Sequence, residues 1–164
     1  MKADIIACYP KSIIGKLISY ITNYEISHVA IMINNNLIAE SDWFGVRVRK
    51  IEDMKRDYKI LRYDGLTDFQ KDKIIYFILN RVNMKYDYKL LLGLGLKKVL
   101  KIDIKKWNNK DKYICTELIY IAYKSVGINL SDDTYKLYPE NILKNKKLKE
   151  VHKLVDTLEG WDLT

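Results

Sequence analysis

Cysteine, histidine, proline and glycine are all sparse in this chain. Of 164 residues, two are cysteine, two histidine, two proline and seven glycine. Two cysteines, Cys8 and Cys115, cannot form the disulfide framework of a small secreted scaffold. The N-terminal Met1-Lys2-Ala3-Asp4-Ile5-Ile6 has no long apolar core or cleavage site of an export signal, so both thiols are expected to be free, in the cytoplasm. The cysteines and histidines (Cys8, His28, Cys115, His152) are not paired at ligand spacing, so neither a metal nor another cofactor is expected. No apolar run reaches the ~18 residues of a spanning helix, and the greasiest stretch, 90–96, is far shorter. Arginine is also scarce, and no Gly-Lys-aromatic RNA-binding signature accompanies the formal charge of +8. The lysines at 97–112 and 144–149 read as solvated faces of a Lys-, Ile-, Asn- and Tyr-rich chain. Nucleic acid is therefore not the expected partner.

What the chain does have is the composition of an ordinary globule, 48% hydrophobic and 30% charged, long enough for one domain spanning 1–164 with a sizeable core. Periodicity predicts strands at 4–8, 27–33, 37–40, 46–51 and 58–63, and a return strand at 149–155. In the 46–51 strand, Val46 and Val48 should face in, with Arg47 and Arg49 out. Helices are predicted at 11–21, 69–81, 90–100, from Cys115 to Gly127, and from Pro139 to Asn145. The segments 84–88 and 108–112 read as connections. Strands two to five should form an antiparallel meander. Strands early and helices late predict an α+β fold, with an antiparallel sheet of about five to six strands packed against helices.

One helix starts with a thiol. Cys115, Leu118, Ile119, Ala122 and Val126 share a face, so Cys115 sits in the first turn of a core helix, where unpaired N–H groups and the dipole favour thiolate. Thr116 and Glu117 are the other first-turn residues. A cysteine nucleophile needs a base and a group to orient that base. His152 lies in a lysine-rich tail. His28 opens a strand of small and apolar residues and is the better base. Glu40 closes the next strand. If Asn34-Asn35-Asn36 form a three-residue turn, Ile33 faces Leu37, His28 faces Asp42, and Glu40 is the diagonal neighbour of His28 on the same face. Asp42 is the alternative orienting group.

The order of these pieces resembles a known family. Ser27-His28-Val29-Ala30-Ile31, Ile38-Ala39-Glu40, Tyr86-Asp87-Tyr88 and Tyr113-Ile114-Cys115-Thr116-Glu117-Leu118-Ile119-Tyr120 are similar to segments of the circularly permuted NlpC-type papain-like cysteine hydrolases, the YiiX-like group, in which the histidine precedes the cysteine. Ala3-Asp4-Ile5-Ile6 resembles the group's Gly-Asp-Ile-Ile start. Tyr138-Pro139-Glu140-Asn141-Ile142-Leu143 resembles its closing Ser/Thr-Pro-x-x-Leu helix. Met84-Lys85 stands where the group has Gly-x-Pro. The resemblance spans roughly 3–152. It implies a permuted papain-like core, Cys115 as nucleophile, His28 as general base, Glu40 as orienting residue, and Tyr86 or Tyr88 as residues lining the substrate site. It also implies hydrolysis of an amide, in a peptide, a cell-wall peptide or another N-acyl substrate, through an acyl-enzyme. Two alternatives stand beside it. One is a lipid acyltransferase or acylhydrolase of the lecithin retinol acyltransferase type, with 90–100 as a peripheral membrane helix. The other is a non-catalytic binding domain of the same fold.

Overall fold

The computed structural model describes residues 2–89, 112–131 and 138–154. The helix expected over 90–100, most of the 108–112 connection and Val155 lie outside the described residues. Six strands form one antiparallel sheet: β1 (Ile5–Cys8), β2 (His28–Met32), β3 (Leu37–Asp42), β4 (Gly45–Lys50), β5 (Tyr58–Tyr63) and, last in the chain, β8 (Leu148–Leu154). Their order is β4-β3-β2-β1-β5-β8. Two two-residue strands, β6 (Lys85–Tyr86) and β7 (Lys112–Tyr113), pair parallel beside it. The helices are α1 (Ile13–Thr22), α2 (Asp68–Leu79), α3 (Cys115–Lys124) and α4 (Pro139–Leu143). The architecture is α+β, as expected. Among the described residues no helix is long and apolar enough to cross a membrane.

The local chemistry accounts for the ends of the elements. Ser12 caps α1 by accepting from the Gly15 N–H at 3.0 Å, and Thr67 and Gln70 cap α2 reciprocally. Beyond α3, Gly127 adopts φ +81°, and the Ile128 N–H returns to the Tyr123 carbonyl at 3.1 Å, a left-handed helix stop.

The expected meander holds for β2, β3 and β4 but not for β5. After β4 a short 3₁₀ turn, Ile51–Met54, carries the chain across the sheet, and β5 pairs with β1 instead. This places β1 at the centre, where its four residues are all buried. It also creates a second core. Val29, Ile31 and Ala39 face α2, α3 and α4. Ile6, Cys8, Ala30, Met32 and Ile38 face the other way, against Met54, Tyr58 and Ile60. Both faces of the central strands are thus apolar.

The expected 84–88 connection is more than a linker, because residues 83–86 are fastened to the β3–β4 hairpin. The Val46 N–H donates to the Met84 carbonyl, and the Asn83 N–H to the Val46 carbonyl, both at 2.8 Å. Gly45 permits this approach. It has φ +103°, and a Cβ built there would stand 2.3 Å from the Met84 oxygen. Gly45→Ala should therefore cost at least about 2 kcal/mol, from left-handed strain together with the steric conflict. Urea denaturation measures this directly, and an unchanged midpoint would show that the segment is not held there.

Candidate active site

The hairpin register decides which polar side chains can meet. Ala30 opposes Glu40 and Met32 opposes Ile38, while the Ile33 N–H donates to the Leu37 carbonyl at 2.8 Å. Asn34, Asn35 and Asn36 form the odd-length turn, with the Asn34 side chain accepting from the N–H groups of Asn36 and Leu37, both at 2.8 Å. His28 and Glu40 therefore share a sheet face two residues out of step, within diagonal reach.

His28 Nε2 and Glu40 Oε2 are 2.9 Å apart. A carboxylate only accepts, so Nε2 carries the proton and donates. Asp42 is engaged elsewhere. Its Oδ1 accepts from the Phe44 N–H at 3.0 Å and closes the β3–β4 turn, and its other oxygen pairs with Arg47. Glu40, not Asp42, is the carboxylate bonded to the imidazole.

Cys115 is the first residue of α3 and is 8% exposed. The preceding Ile114 is extended and supplies no side-chain cap, which leaves the first turn's N–H groups available to a neighbouring anion. The Cys115 sulfur lies within the electrostatic reach of the His28 ring and of the backbone N–H groups of Val29 and Thr116. Because Nε2 serves Glu40, Nδ1 is the ring nitrogen left for the thiol. His28 opens β2 at the end of the sheet. From there it reaches both Glu40, on the face away from α3, and the N-terminus of α3, which packs on the opposite face.

The electrostatics follow from these contacts. Burial disfavours the thiolate, but the charge and hydrogen bond of His28, with the Val29 and Thr116 N–H groups, outweigh it and hold Cys115 below the ordinary thiol range. Burial likewise disfavours the imidazolium, and the Cys115 thiolate and then Glu40 overcome it, raising His28 from 6.5 to about 9. Glu40 is itself 1% exposed. Desolvation works against its charge, yet His28 and Arg49 bring it from 4.5 down to about 2. These interactions all favour a thiolate–imidazolium pair backed by an ionised carboxylate. Cys8 behaves differently. It is fully buried, its thiol donates to the Met54 sulfur at 3.4 Å, and burial pushes it up to about 12.

Tyr86 is 8% exposed. Burial and the nearby Cys115 charge both raise its phenol above the ordinary range, so the hydroxyl stays protonated within the electrostatic reach of the thiol. Tyr88 is half exposed and donates its hydroxyl proton to the Trp43 carbonyl. Trp43 stacks on Tyr88 at 5.5 Å and tilts against Tyr86 at 5.6 Å, making an aromatic wall between the hairpin tip and the β6 segment. Ser41 donates to the Tyr113 carbonyl at 2.6 Å, tying β3 to the residue two before Cys115.

Some of this escaped the sequence. Arg47 and Arg49 do point away from Val46 and Val48, but not simply to solvent. They lie on the Glu40 face, with Arg49 Nε 2.6 Å and Arg47 Nη2 3.3 Å from Glu40 Oε1. Alternation alone contained the signal, since Glu40 opposes Arg47. Glu117 and Thr116, read as ordinary first-turn residues, are buried, because α3 is enclosed on nearly every side. His152 is an exposed residue of the edge strand β8. It lies three strands from β2, roughly 14 Å at the usual spacing.

A buried Cys-His-Glu constellation at the end of an antiparallel sheet, with the thiol at a helix N-terminus, defines the class of site. Among solved structures, the chain is similar to the metalloprotein YiiX from Escherichia coli O157:H7, a DUF1105 protein. The TM-score is 0.72 at 16% identity, covering 94% of this chain and 97% of that one. The fold is therefore YiiX-like. No family model matches the sequence, and no curated protein matches it.

Proposed function

We propose that the protein is a cysteine hydrolase of the permuted, NlpC-type papain-like kind, cleaving an amide in a peptide or N-acyl substrate. The observation that carries this reading is His28 bonded to Glu40 at 2.9 Å while lying in the electrostatic field of the Cys115 thiol. A merely structural cysteine has no need of a charged partner. In the proposed cycle the Cys115 thiolate attacks the acyl carbon. The oxygen takes up negative charge beside the Cys115 backbone N–H at the head of α3. Imidazolium His28 gives its Nδ1 proton to the departing amine as the C–N bond breaks, leaving a thioester. Neutral His28 then takes a proton from water, whose oxygen attacks the thioester, and Cys115 leaves as thiolate. Glu40 keeps the ring in the Nε2–H tautomer throughout. Tyr86, Tyr88 and Trp43 form the wall against which the substrate lies.

The YiiX structure is described as a metalloprotein, but the donors here do not fit a metal. Cys115 and His28 offer two ligands. Glu40 is spent on His28 and two guanidinium groups, Cys8 stays protonated, and no trio of His, Cys, Asp or Glu suited to a metal occurs among the described residues. No step of the proposed cycle uses one.

Alkylation tests the reading without a known substrate. Iodoacetamide at neutral pH should label Cys115 at least about ten-fold faster than Cys8 in the folded protein, because only one of the two is thiolate. Mass spectrometry of the peptides reports both rates, and equal labelling would remove the activated nucleophile.

One observation favours the second reading, acyl transfer or hydrolysis on lipids. Ile13, Leu17 and Tyr20 of α1 and Phe44 of the β3–β4 turn are exposed, and both segments join strands at the sheet end that holds His28. Vesicle co-sedimentation with cleavage of lipid esters, and no cleavage of peptide amides, would select this alternative.

A further inference from the structure

Glu40 is a buried carboxylate, and something other than His28 must hold it. Its Oε2 accepts from His28 at 2.9 Å. Its Oε1 faces Arg49 Nε at 2.6 Å, and Arg49 Nη2 reaches Oε2 at 3.4 Å. The guanidinium thus lies within ion-pair distance of both carboxylate oxygens, so its charge bears on the whole carboxylate. Arg49 is also fixed from behind, since Nη1 donates to the Asp53 carbonyl in the 3₁₀ turn at 2.9 Å. Its side chain is 16% exposed. Arg47 is the looser partner. It is 40% exposed, is divided between Glu40 and Asp42, and lies over the Phe44 ring.

We infer that Arg49 is the positioning residue of the site, clamping the Glu40 carboxylate so that one oxygen stays aligned on His28, and that the Ile51–Met54 turn anchors this clamp. The inference rests on the hydrolase reading and extends its relay by two members: turn carbonyl, Arg49, Glu40, His28, Cys115. A carboxylate in this position, on a flexible side chain, has two cations within reach and one imidazole. Without Arg49, Arg47 and Asp42 are left to compete for its orientation, and turning Oε2 toward Arg47 breaks the bond that keeps the imidazole ring in place. The charged and titratable groups facing Glu40 are His28 from β2, Asp42 from β3, Arg47 and Arg49 from β4, and, more remotely, Cys8 from β1. Only Arg49 contacts both of its oxygens while itself being fixed by the backbone.

The test is the pH profile of Cys115 alkylation, read by peptide mass spectrometry in wild type, Arg49→Met, Arg49→Lys, Glu40→Gln and the Arg49→Met/Glu40→Gln pair. Arg49→Met should move the acid limb upward by about one pH unit, so that labelling at pH values below the wild-type limb falls roughly ten-fold. Arg49→Lys, which keeps the charge but cannot span both oxygens and the Asp53 carbonyl, should fall between. The double variant should label like Glu40→Gln alone, since the clamp has nothing left to hold. Arg49→Met with a lowered melting temperature but an unmoved profile would overturn the inference, because that is what a merely structural arginine gives. So would additive effects in the double variant. A wild-type Cys115 no more reactive than Cys8 would instead overturn the hydrolase reading itself. Arg49→Lys keeps the question answerable if Arg49→Met does not fold.

Discussion

On the proposed hydrolase mechanism, Cys115→Ala should abolish hydrolysis of a peptide or N-acyl amide substrate, a loss of roughly 10⁴- to 10⁶-fold in kcat. The reason is chemical rather than architectural. The substitution removes one sulfur atom at the head of α3, while Leu118, Ile119, Ala122 and Tyr123 continue to bury the helix. Circular dichroism should therefore stay native. His28→Ala should cost nearly as much, because without the imidazole the thiol loses both the charge that ionises it and the acid that protonates the leaving group. The two losses should not add, since each variant already lacks the same ion pair. Cys8→Ala is the control. That thiol lies against Met54 in the second core, so the variant should lose stability to a small cavity and keep its turnover. A substrate cleaved equally well by wild type and Cys115→Ala would place the chemistry elsewhere.

Glu40→Ala should be the most destabilising single change at the site, at about 3–5 kcal/mol. The cost comes less from the lost bond to His28 than from what remains. Arg49 is held by the Asp53 carbonyl and cannot easily leave, so its guanidinium faces a void where a carboxylate stood. Glu40→Gln keeps the shape and should cost less, while still losing the charge that supports imidazolium. The sign of the pH dependence follows from the depressed carboxyl. Folded Glu40 titrates near 2 against an ordinary 4.5, so its contribution is complete above about 4.5 and is lost as pH falls toward 2. Linkage makes this on the order of 3 kcal/mol. The His28 contribution runs the other way. It is present below the ordinary 6.5 and lost as pH rises through about 9. Urea midpoints measured against pH should therefore show an acid slope in wild type that flattens in Glu40→Gln. An identical slope in both would mean that other carboxylates set the acid limit.

The parts of the fold and site legible in the sequence are those fixed by neighbours along the chain. The Asn34–Asn36 turn sets the register of the β2–β3 hairpin, and register alone puts Glu40 diagonal to His28. The stop of α3 at Gly127 is likewise local, and so is the placement of Cys115 at its first position. What was not legible depends on where distant segments land. Nothing in the local pattern of 58–63 tells β5 to bypass β4 and pair with β1. That choice builds the second core and converts the outward face of β4 into the wall behind Glu40. Arg47 and Arg49 therefore look like solvent residues in alternation and become counterions in the structure. The burial of Thr116 and Glu117 is of the same kind, because a helix periodicity shows one apolar face and α3 is covered on several. Trp43 carries no motif. Its place against Tyr86 and Tyr88 depends on Gly45 admitting the 83–86 backbone.

The proposed mechanism requires Cys115 to be a thiolate paired with protonated His28 near neutral pH. The direct measurement is the ultraviolet absorbance of the thiolate as a function of pH, taken as the difference between wild type and Cys115→Ser and repeated in the His28→Ala background. Thiolate should already be present well below the ordinary cysteine range of about 8.5, with the titration displaced upward past that value once His28 is gone. A Cys115 that titrates at or above the ordinary value in the wild-type protein, unmoved by His28→Ala, would contradict the mechanism.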